Sequence, residues 1–344
     1  MTEHHRSWRV AAALLAWTAA GSLTAQAQTS SGSKDDLGTL NVMMSTPDLV
    51  LYMPAQLGPE EGKFEACGVK VRNIMGSSAT VSPSILSGES DIAVQFGGRA
   101  VGDIMQGVPA KVVAAQTPRW VMPLTISTAL YKSGVHSSDD LAKLGKSGTK
   151  IKLGITSFGA ATHFSLLKVV SKFGWTEGKE YEFVALGGIN EIVAALQAGK
   201  IDAFVYNRDV VQLAQDKGLA HIVEDDVVGQ AVGPTIKEAI MASDKLIKER
   251  PKALVAYLEC YFKYVNELKA KPDEARKLAI SKLRKGEKEL DASLKDDIND
   301  WSADGSATPE QLKGLAAGAV FQNKKIKDAP VEKWWLYWQD LKKQ

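Results

Sequence analysis

The sequence has few of the residues that metal sites and disulfide frameworks require. It contains two cysteines and five histidines in 344 residues. Beyond residue 27 the histidines are His136, His163 and His221, which are too scattered to form a recognisable metal-ligand motif. We therefore predict no metal and no cofactor, and isolated histidines provide no evident base for activating a nucleophile.

The sequence also lacks an excess of charge of one sign. It has 42 Lys and Arg against 40 Asp and Glu, a formal net charge of +2, with no basic tract. This balance argues against a nucleic-acid partner. Beyond the first 27 residues no segment is long and apolar enough to span a bilayer, which takes about 20 residues.

The first 27 residues have the organisation of an export signal. Arg6 and Arg9 precede an apolar stretch at residues 10–23, and Ala25-Gln26-Ala27 matches an A-x-A cleavage site. We predict cleavage after about Ala27, a periplasmic location, and a disordered lead-in at residues 28–38.

An oxidising compartment would allow Cys67 and Cys260 to pair. Their spacing gives no recognisable framework, so two buried free thiols are the favoured interpretation and a disulfide is the alternative.

A short segment occurs twice in the chain. Gly88 and Asp91 recur as Gly199 and Asp202, at offsets of 199 − 88 = 111 and 202 − 91 = 111. Glycine just past a helix ends it readily, because it adopts the left-handed conformation that frees the last carbonyl groups to pair. The aspartate then precedes an apolar strand. We interpret this turn as structural.

The same offset relates two series of predicted elements. The first series has strands at residues 40–45, 68–74, 91–95 and 111–115, and helices within 49–66, at 79–87 and at 99–105. The second has strands at 152–156, 180–184, 202–206 and 220–223, and helices at 160–173, 190–198 and 210–217. Prolines and glycines predict a broken first helix at 49–66. The pattern predicts an α/β fold of two βαβ-type units, each with a parallel sheet covered on both faces.

Two crossings should join these units. We predict a strand at residues 124–130, a helix capped by Ser138, a return crossing at 230–233, and a strand at 235–242 that rejoins the first unit. A buried helix at 252–268 begins a C-terminal helical wrap. The predicted lobe 1 is therefore 39–120 with 230–344, and the crossing with lobe 2 is 121–229.

Several segments carry a family resemblance. They are the G-x-F-x-x-x-G-V-x-V segment at residues 62–71, the turn with Gly88 and Asp91, Asp140-Leu141, and Ala242-Ser243-Asp244 running to Pro251. In this order they make the sequence similar to type II periplasmic solute-binding proteins of ABC importers, in the nitrate/sulfonate/taurine and thiamine-pyrimidine-precursor group. The resemblance spans about residues 39–341.

This resemblance implies a monomeric, non-enzymatic binding protein with a ligand cleft between its lobes. Its partners would be a small-molecule solute and permease subunits in the inner membrane. In one departure, Gly58-Pro59 stands where such proteins continue a helix.

Ligands of open parallel sheets bind beyond the carboxyl ends of the strands. The predicted ligand-binding residues follow those ends or open the first crossing. They are Ser45, Thr46, Asp48, Gln95, Phe96, Gly97, Arg99, Gln116, Trp120, Ser157, Gly159, Ala160, Thr162, Gly188, Asn207 and Arg208.

The residue types at these positions favour an anion. Ser157 to Thr162 start a helix, where free N–H groups attract negative charge, although Ser157 alone also fits an ordinary N-cap. Arg99 could grip an anionic group bidentately or lie on the surface. Arg208 and Asp209 could pair with each other or across the cleft. For Tyr206, which ends a buried strand, we predict a core position.

We therefore predict capture of a small organic anion, sulfonate-, nitrate- or carboxylate-like, by hinge closure. The aromatic residues near the strand ends would suit a pyrimidine-like solute instead. An enzyme or a sensor on the same fold is a further alternative. Pyrimidine synthases that resemble this fold use a cysteine-rich segment, which this sequence lacks. Deaminases that resemble it need a cysteine in the cleft, whereas Cys67 precedes the second strand and so lies at the opposite end of the sheet.

Overall fold

The computed structural model describes residues 36–46, 49–224 and 226–343. The predicted export signal and residues 28–35 of the predicted lead-in lie outside these ranges. Residues 36–38, which we predicted to be disordered, are held in place. The Leu37 amide donates to the Gly68 carbonyl at 2.8 Å, and Arg250 donates to the Leu37 carbonyl at 2.7 Å. None of the described helices is long and apolar enough to cross a membrane.

The strands of the described residues form two five-stranded sheets. They are β1 (Thr39–Met44), β2 (Lys70–Met75), β3 (Ile92–Phe96), β4 (Ala110–Thr117), β5 (Leu124–Ser127), β6 (Ile151–Ile155), β7 (Tyr181–Ala185), β8 (Ala203–Val205), β9 (Ala220–Glu224) and β10 (Glu238–Ser243). The orders are β2-β1-β3-β10-β4 in the first sheet and β7-β6-β8-β5-β9 in the second. Because β1 to β4 correspond to β6 to β9 at the offset of 111, the two sheets have the same order.

The sheets are mixed, so the prediction of parallel sheets is wrong in one strand of each. β10 is antiparallel to β3 and β4, and β5 is antiparallel to β8 and β9. Each antiparallel strand follows a crossing from the other sheet: β5 follows β4 directly, and β10 follows β9 after the short helix at Val227–Val232. A crossing therefore contributes the fourth position of the sheet it enters, which confirms that residues 235–242 rejoin the first unit as a strand.

The helices of the described residues cover both sheets and continue to the carboxyl end. They are α1 (Met53–Leu57), α2 (Val81–Ser87), α3 (Gly97–Met105), α4 (Thr128–Lys132), α5 (Ser138–Lys146), α6 (Ala161–Phe173), α7 (Ile189–Gln197), α8 (Arg208–Asp216), α9 (Val227–Val232), α10 (Asp244–Glu249), α11 (Pro251–Ala270), α12 (Pro272–Lys282), α13 (Glu287–Asp300), α14 (Pro309–Gln322) and α15 (Val331–Trp334). Short 3-10 helices occur at Val50–Tyr52, Glu65–Cys67 and Trp338–Lys343.

Some element boundaries differ from the predictions. The predicted helix at 49–66 is broken as expected, into two 3-10 turns and α1, where Pro54 occupies the first turn. The predicted strand at 124–130 ends at Ser127, because the Ser127 hydroxyl accepts from the Leu130 amide and starts α4. Ser137, not Ser138, caps α5. The predicted return crossing at 230–233 falls on the end of α9 and on Gly233, which follows that helix.

The repeated glycines end their helices as predicted. Gly88 has φ 76° after α2, and Gly199 has φ 63° soon after α7. Both values lie in the left-handed region, where a side chain on an L-residue is strained.

The two cysteines form a disulfide, so the favoured prediction of free thiols is wrong. Cys67 and Cys260 have Cα atoms 6.2 Å apart and are separated by 193 residues in sequence. The bond joins the 3-10 turn before β2 to α11, whose Leu254, Tyr257 and Leu258 are buried in the same hydrophobic core as Leu40 and Val42 of β1. The sequence spacing could not predict this pair, because the contact exists only once the C-terminal wrap returns to the first sheet.

Candidate functional site

A cavity of about 560 Å³ lies at the carboxyl ends of parallel strands from both sheets. Its walls come from the chain after β1, β2 and β3 on one side and after β6, β7 and β8 on the other. Predicted ligand-binding residues among the lining are Ser45, Thr46, Phe96, Ser157, Ala160, Thr162, Gly188 and Asn207. Strand ends that are equivalent at the offset of 111, and distant in sequence, therefore line the same cavity.

Other predicted residues lie inside the protein rather than along the cavity. The Gln95 amide donates to Met241 Sδ at 3.1 Å, and the Gln116 amide donates to the Leu51 carbonyl at 2.7 Å. A Cβ on Gly97 would lie 2.9 Å from the Ile236 carbonyl oxygen. Gly97 thus allows close packing against the chain that enters β10, and does not open space for a ligand. Asp48 lies outside the described residues.

The two arginines predicted to contact the ligand are paired with carboxylates of the protein instead. Arg99 Nε lies 3.4 Å from Asp103 Oδ2, one turn along α3. Arg208 forms an ion pair with Asp296 of α13. Neither side chain lines the cavity. Asp209, which we predicted to pair with Arg208 or across the cleft, is fully buried and lies 3.2 Å from Lys285 Nζ.

Trp120 belongs to an aromatic cluster behind the cavity wall. Its Nε1 donates to Ser165 Oγ at 2.9 Å, and its ring contacts Phe96 and Phe164 at centroid distances of 5.4 and 5.3 Å. Phe96 alone of these rings lines the cavity. The cluster joins the end of β3, the first crossing and α6, and so fixes the wall without exposing Trp120.

The start of α6 forms one wall of the cavity. Ala160 is the N-cap residue and provides no side-chain hydrogen bond, so the first backbone N–H groups of this 13-residue helix have no side-chain cap. Ser157 Oγ is buried and has no hydrogen-bond partner in the part of the chain that the structure describes. Ser157 is therefore not the N-cap, and its hydroxyl lies at the cavity wall with its hydrogen-bonding capacity unused by the described residues.

Gly159 shapes this wall without lining the cavity. Its φ of 83° lies in the left-handed region, and its amide donates to His163 Nδ1 at 3.1 Å. Burial lowers the pKa of His163 to about 4, so its imidazole is neutral near pH 7.

Lys237 is a buried cation in the cavity wall that sequence reasoning missed. Its side chain is only 3% exposed, and its Nζ donates to Asn207 Oδ1 at 2.7 Å and to the Val121 carbonyl at 3.3 Å. It thus connects the chain entering β10 of the first sheet with the end of β8 in the second. The ammonium places positive charge at the junction of the two walls.

Glu238 is the neighbouring buried acid. The Tyr52 hydroxyl donates a hydrogen bond to Glu238 Oε2 at 2.8 Å, and Ser45 Oγ lies 2.8 Å from the same tyrosine oxygen. Burial raises the pKa of Glu238 to about 7, although Lys237 and the bond from Tyr52 act in the opposite direction. The carboxyl group therefore changes charge near neutral pH.

Further lining residues were not predicted as site residues. Tyr206 is 7% exposed, as a core residue would be, yet its ring also lines the cavity. The remaining walls include Tyr52, Ser77, Ser78, Met122, Asn190 and Glu191. The signal that could have revealed Lys237 and Glu238 was a pair of charged residues inside a segment already predicted to be a strand that rejoins the first unit. Among the described residues no group of three or more His, Cys, Asp or Glu side chains is arranged to hold a metal ion.

A family model described as NMT1/THI5 like matches residues 52–275, more than half of the chain. The chain belongs to the NMT1/THI5-like family. No curated protein matches the sequence. The match confirms the resemblance recognised in the sequence.

Solved structures similar to this family member share its fold. The ligand-binding component of an ABC-type import system from Staphylococcus aureus has a TM-score of 0.71 at 12% identity, covering 89% of this chain and 98% of that chain. The alkanesulfonate-binding protein SsuA from Xanthomonas axonopodis pv. citri, bound to MOPS, has 0.69 at 14% identity, covering 87% and 98%. The Candida albicans CA3427 gene product, which has the generic periplasmic binding protein fold, has 0.64 at 12%, covering 87% and 96%. The predicted periplasmic binding protein fold is thereby confirmed.

Proposed function

We propose that this protein is the periplasmic substrate-binding component of an ABC importer and that it captures a small organic anion. Family membership and the likeness to an import-system component and to an alkanesulfonate-binding protein support the transport role. The anion would be sulfonate-, nitrate- or carboxylate-like. The predicted export signal and cleavage after about Ala27 support a periplasmic location.

The proposal that the ligand is an anion rests on the uncapped start of α6. Backbone N–H groups at a helix start carry partial positive charge, and Ser157 adds a hydroxyl donor without a partner among the described residues. Lys237 contributes a full positive charge to the same cavity. A micromolar affinity requires about 8 kcal/mol, within reach of a few charge-assisted hydrogen bonds.

Capture would proceed by closure of two lobes about the crossings. We assign residues 39–120 with 230–344 to one lobe and 121–229 to the crossing and the other lobe. Because both walls of the cavity contribute polar groups, a ligand gains its full set of contacts only when the walls approach. The closed, monomeric form would then present itself to the permease subunits in the inner membrane.

A binding role fits the chemistry of the cavity better than an enzymatic one. Both cysteines are joined in the disulfide and do not line the cavity, so neither serves there as a nucleophile. His163, which also lies outside the lining, has its pKa lowered to about 4 and would be a weak base.

A pyrimidine-like solute is the second candidate. Tyr52, Phe96 and Tyr206 line the cavity and offer faces or edges to a planar ring. Such a solute would use the Glu238 carboxyl for a ring N–H rather than the start of α6 for an anionic group.

A thermal-shift screen tests both candidates. The protein without its first 27 residues would be mixed with alkanesulfonates, nitrate, carboxylates and pyrimidines, and its Tm measured for each. Ligand at about 100 times its Kd stabilises the folded state by about 2.7 kcal/mol, so a true solute gives a clear rise in Tm. Stabilisation by a pyrimidine alone would replace the anion, and turnover of any solute would contradict the binding role.

A further inference from the structure

The buried carboxyl group of Glu238 conflicts with an anionic ligand. Glu238 is 4% exposed and lines the cavity that the anion would occupy. A cavity of about 560 Å³ is about 10 Å across, so an anion anywhere in it lies within the field of this carboxylate. An ionised Glu238 would therefore oppose the capture that α6 and Lys237 favour.

The neighbouring cation does not cancel this charge by direct contact. Lys237 Nζ is directed to Asn207 Oδ1 and the Val121 carbonyl, at 2.7 and 3.3 Å. Tyr52 donates one hydrogen bond to Glu238 Oε2, and Tyr206 adds a second buried phenol to the same cavity. Burial dominates these effects and raises the pKa of Glu238 to about 7. Binding of an anion in the cavity would therefore favour protonation of this carboxyl group near neutral pH.

We propose that Glu238 binds the solute as a neutral carboxylic acid, so that capture of each anion takes up one proton at this side chain. The proton comes from the solvent and forms an O–H bond on a carboxylate oxygen of Glu238. That O–H then donates to an oxygen of the anion, which turns a repulsive neighbour into a hydrogen-bond donor. The proposal rests on the proposed function and adds a proton to its binding equilibrium.

The other titratable groups near the cavity differ from Glu238 in charge state or in position. Tyr52 and Tyr206 have pKa values raised above their ordinary range by burial, so they remain neutral near pH 7. Glu191 lies on the opposite wall and is exposed. Asp297 of α13 is the matched comparison, because burial also raises its pKa to about 7 while its side chain lies outside the cavity lining.

Ethanesulfonate and nitrate are suitable probes, because both stay fully ionised throughout the relevant pH range. Their Kd would be measured by titration calorimetry from about pH 5.5 to about pH 8.5, in buffers of different ionisation enthalpy. We expect nearly constant affinity at the acid end, then a loss of about tenfold per pH unit once Glu238 ionises in the free protein. Proton uptake should approach one per anion bound at the alkaline end.

Two variants assign the proton. In Glu238→Gln the amide cannot ionise, so we expect no proton uptake and a Kd that is independent of pH. Tyr52→Phe removes a bond that stabilises the ionised carboxylate, so the pH at which affinity begins to fall should move upwards. Asp297→Asn is the control, and its proton uptake should match that of the unmodified protein.

Each contrary outcome is distinct. Affinity that is independent of pH in the unmodified protein would overturn the proposal while leaving anion capture intact. Proton uptake that disappears in Asp297→Asn and persists in Glu238→Gln would assign the proton to Asp297 and overturn the proposal. Affinity that rises with pH would mean that the solute presents a cationic group to an ionised Glu238. Absence of anion binding at every pH would refute the anion class of the proposed function itself.

Discussion

The carboxylate of Asp91 holds the first residues of β1 in register with β3. Asp91 Oδ2 accepts a hydrogen bond from the Asn41 amide at 2.9 Å, and the Asp91 amide donates to the Asn41 carbonyl at the same distance. Asp202 makes both bonds with Lys152, each at 2.8 Å. Since 152 − 41 = 111, the offset that relates the sequences also relates individual hydrogen bonds.

Replacing Asp91 should destabilise the protein without weakening ligand binding. Asp91→Ala leaves the Asn41 amide without its acceptor, so we expect the free energy of unfolding to fall by about 1–2 kcal/mol in urea denaturation. Asp202→Ala should cost a similar amount because the geometry is the same. The ligand Kd should stay constant, since both aspartates lie at the amino ends of their strands, away from the cavity. A loss of affinity without a loss of stability would contradict the structural role.

Breaking the disulfide should also lower stability. The Cys67–Cys260 bond closes a long loop, and removing such a bond typically costs about 2–5 kcal/mol. We expect a lower Tm for the Cys67→Ser/Cys260→Ser protein and for the reduced protein, measured by circular dichroism. Adding reductant to the double variant is the control and should change nothing. Equal Tm values for the oxidised and reduced forms would argue against the bond.

Two serines at helix starts should respond differently to substitution by alanine. The Ser137 hydroxyl accepts from the Asp140 amide, so Ser137→Ala should lower stability by about 1 kcal/mol and leave ligand affinity unaltered. The Ser157 hydroxyl has no partner among the described residues, so Ser157→Ala should weaken anion binding by about tenfold with little loss of stability. Calorimetry and thermal denaturation distinguish these effects. Unchanged affinity in Ser157→Ala would remove this residue from the site.

Lys237 should contribute more to anion binding than Arg99 or Arg208, the two arginines predicted from the sequence. Lys237→Met removes the buried cation of the cavity wall, and we expect the Kd to rise by at least about a hundredfold. Arg99→Met removes a cation that is paired with Asp103 outside the lining, so the Kd should change by less than about threefold. Comparable losses in the two variants, measured by calorimetry, would return Arg99 to the site.

The contribution of Asp297 to stability should decrease as the pH rises from acid to neutral. Burial raises the pKa of Asp297 to about 7 in the folded protein, above its ordinary value of 3.8, so folding favours the protonated form. The resulting stabilisation is complete below about pH 4 and is lost as the pH rises through about 7, a change on the order of 4 kcal/mol. Asp297→Asn should flatten the pH dependence of the free energy of unfolding. A slope identical to that of the unmodified protein would show that Asp297 ionises freely.

The local elements followed from the sequence alone. Hydrophobic periodicity, glycine stops and the offset of 111 predicted both series of alternating strands and helices. The strand that rejoins the first sheet as β10 was predicted outside these two series. Periodicity and glycine stops are local signals, because each depends on residues within a few positions of one another, and the offset of 111 compares two such local patterns. They also led to Ser45, Phe96, Ser157 and Asn207, since parallel strands place their ends at one edge of a sheet.

Long-range packing decided the rest. Arg99 and Arg208 were reasonable anion ligands until Asp103 and Asp296 became their partners. The Cys67–Cys260 bond depends on how the C-terminal helices return to the first sheet. Lys237 and Glu238 enter the cavity wall because β10 is antiparallel to β3, which places Glu238 opposite Phe96 at the carboxyl end of β3. No local pattern specifies this orientation. Pairing of charges and burial of a carboxyl group are properties of contacts distant in sequence, and only the tertiary structure contains them.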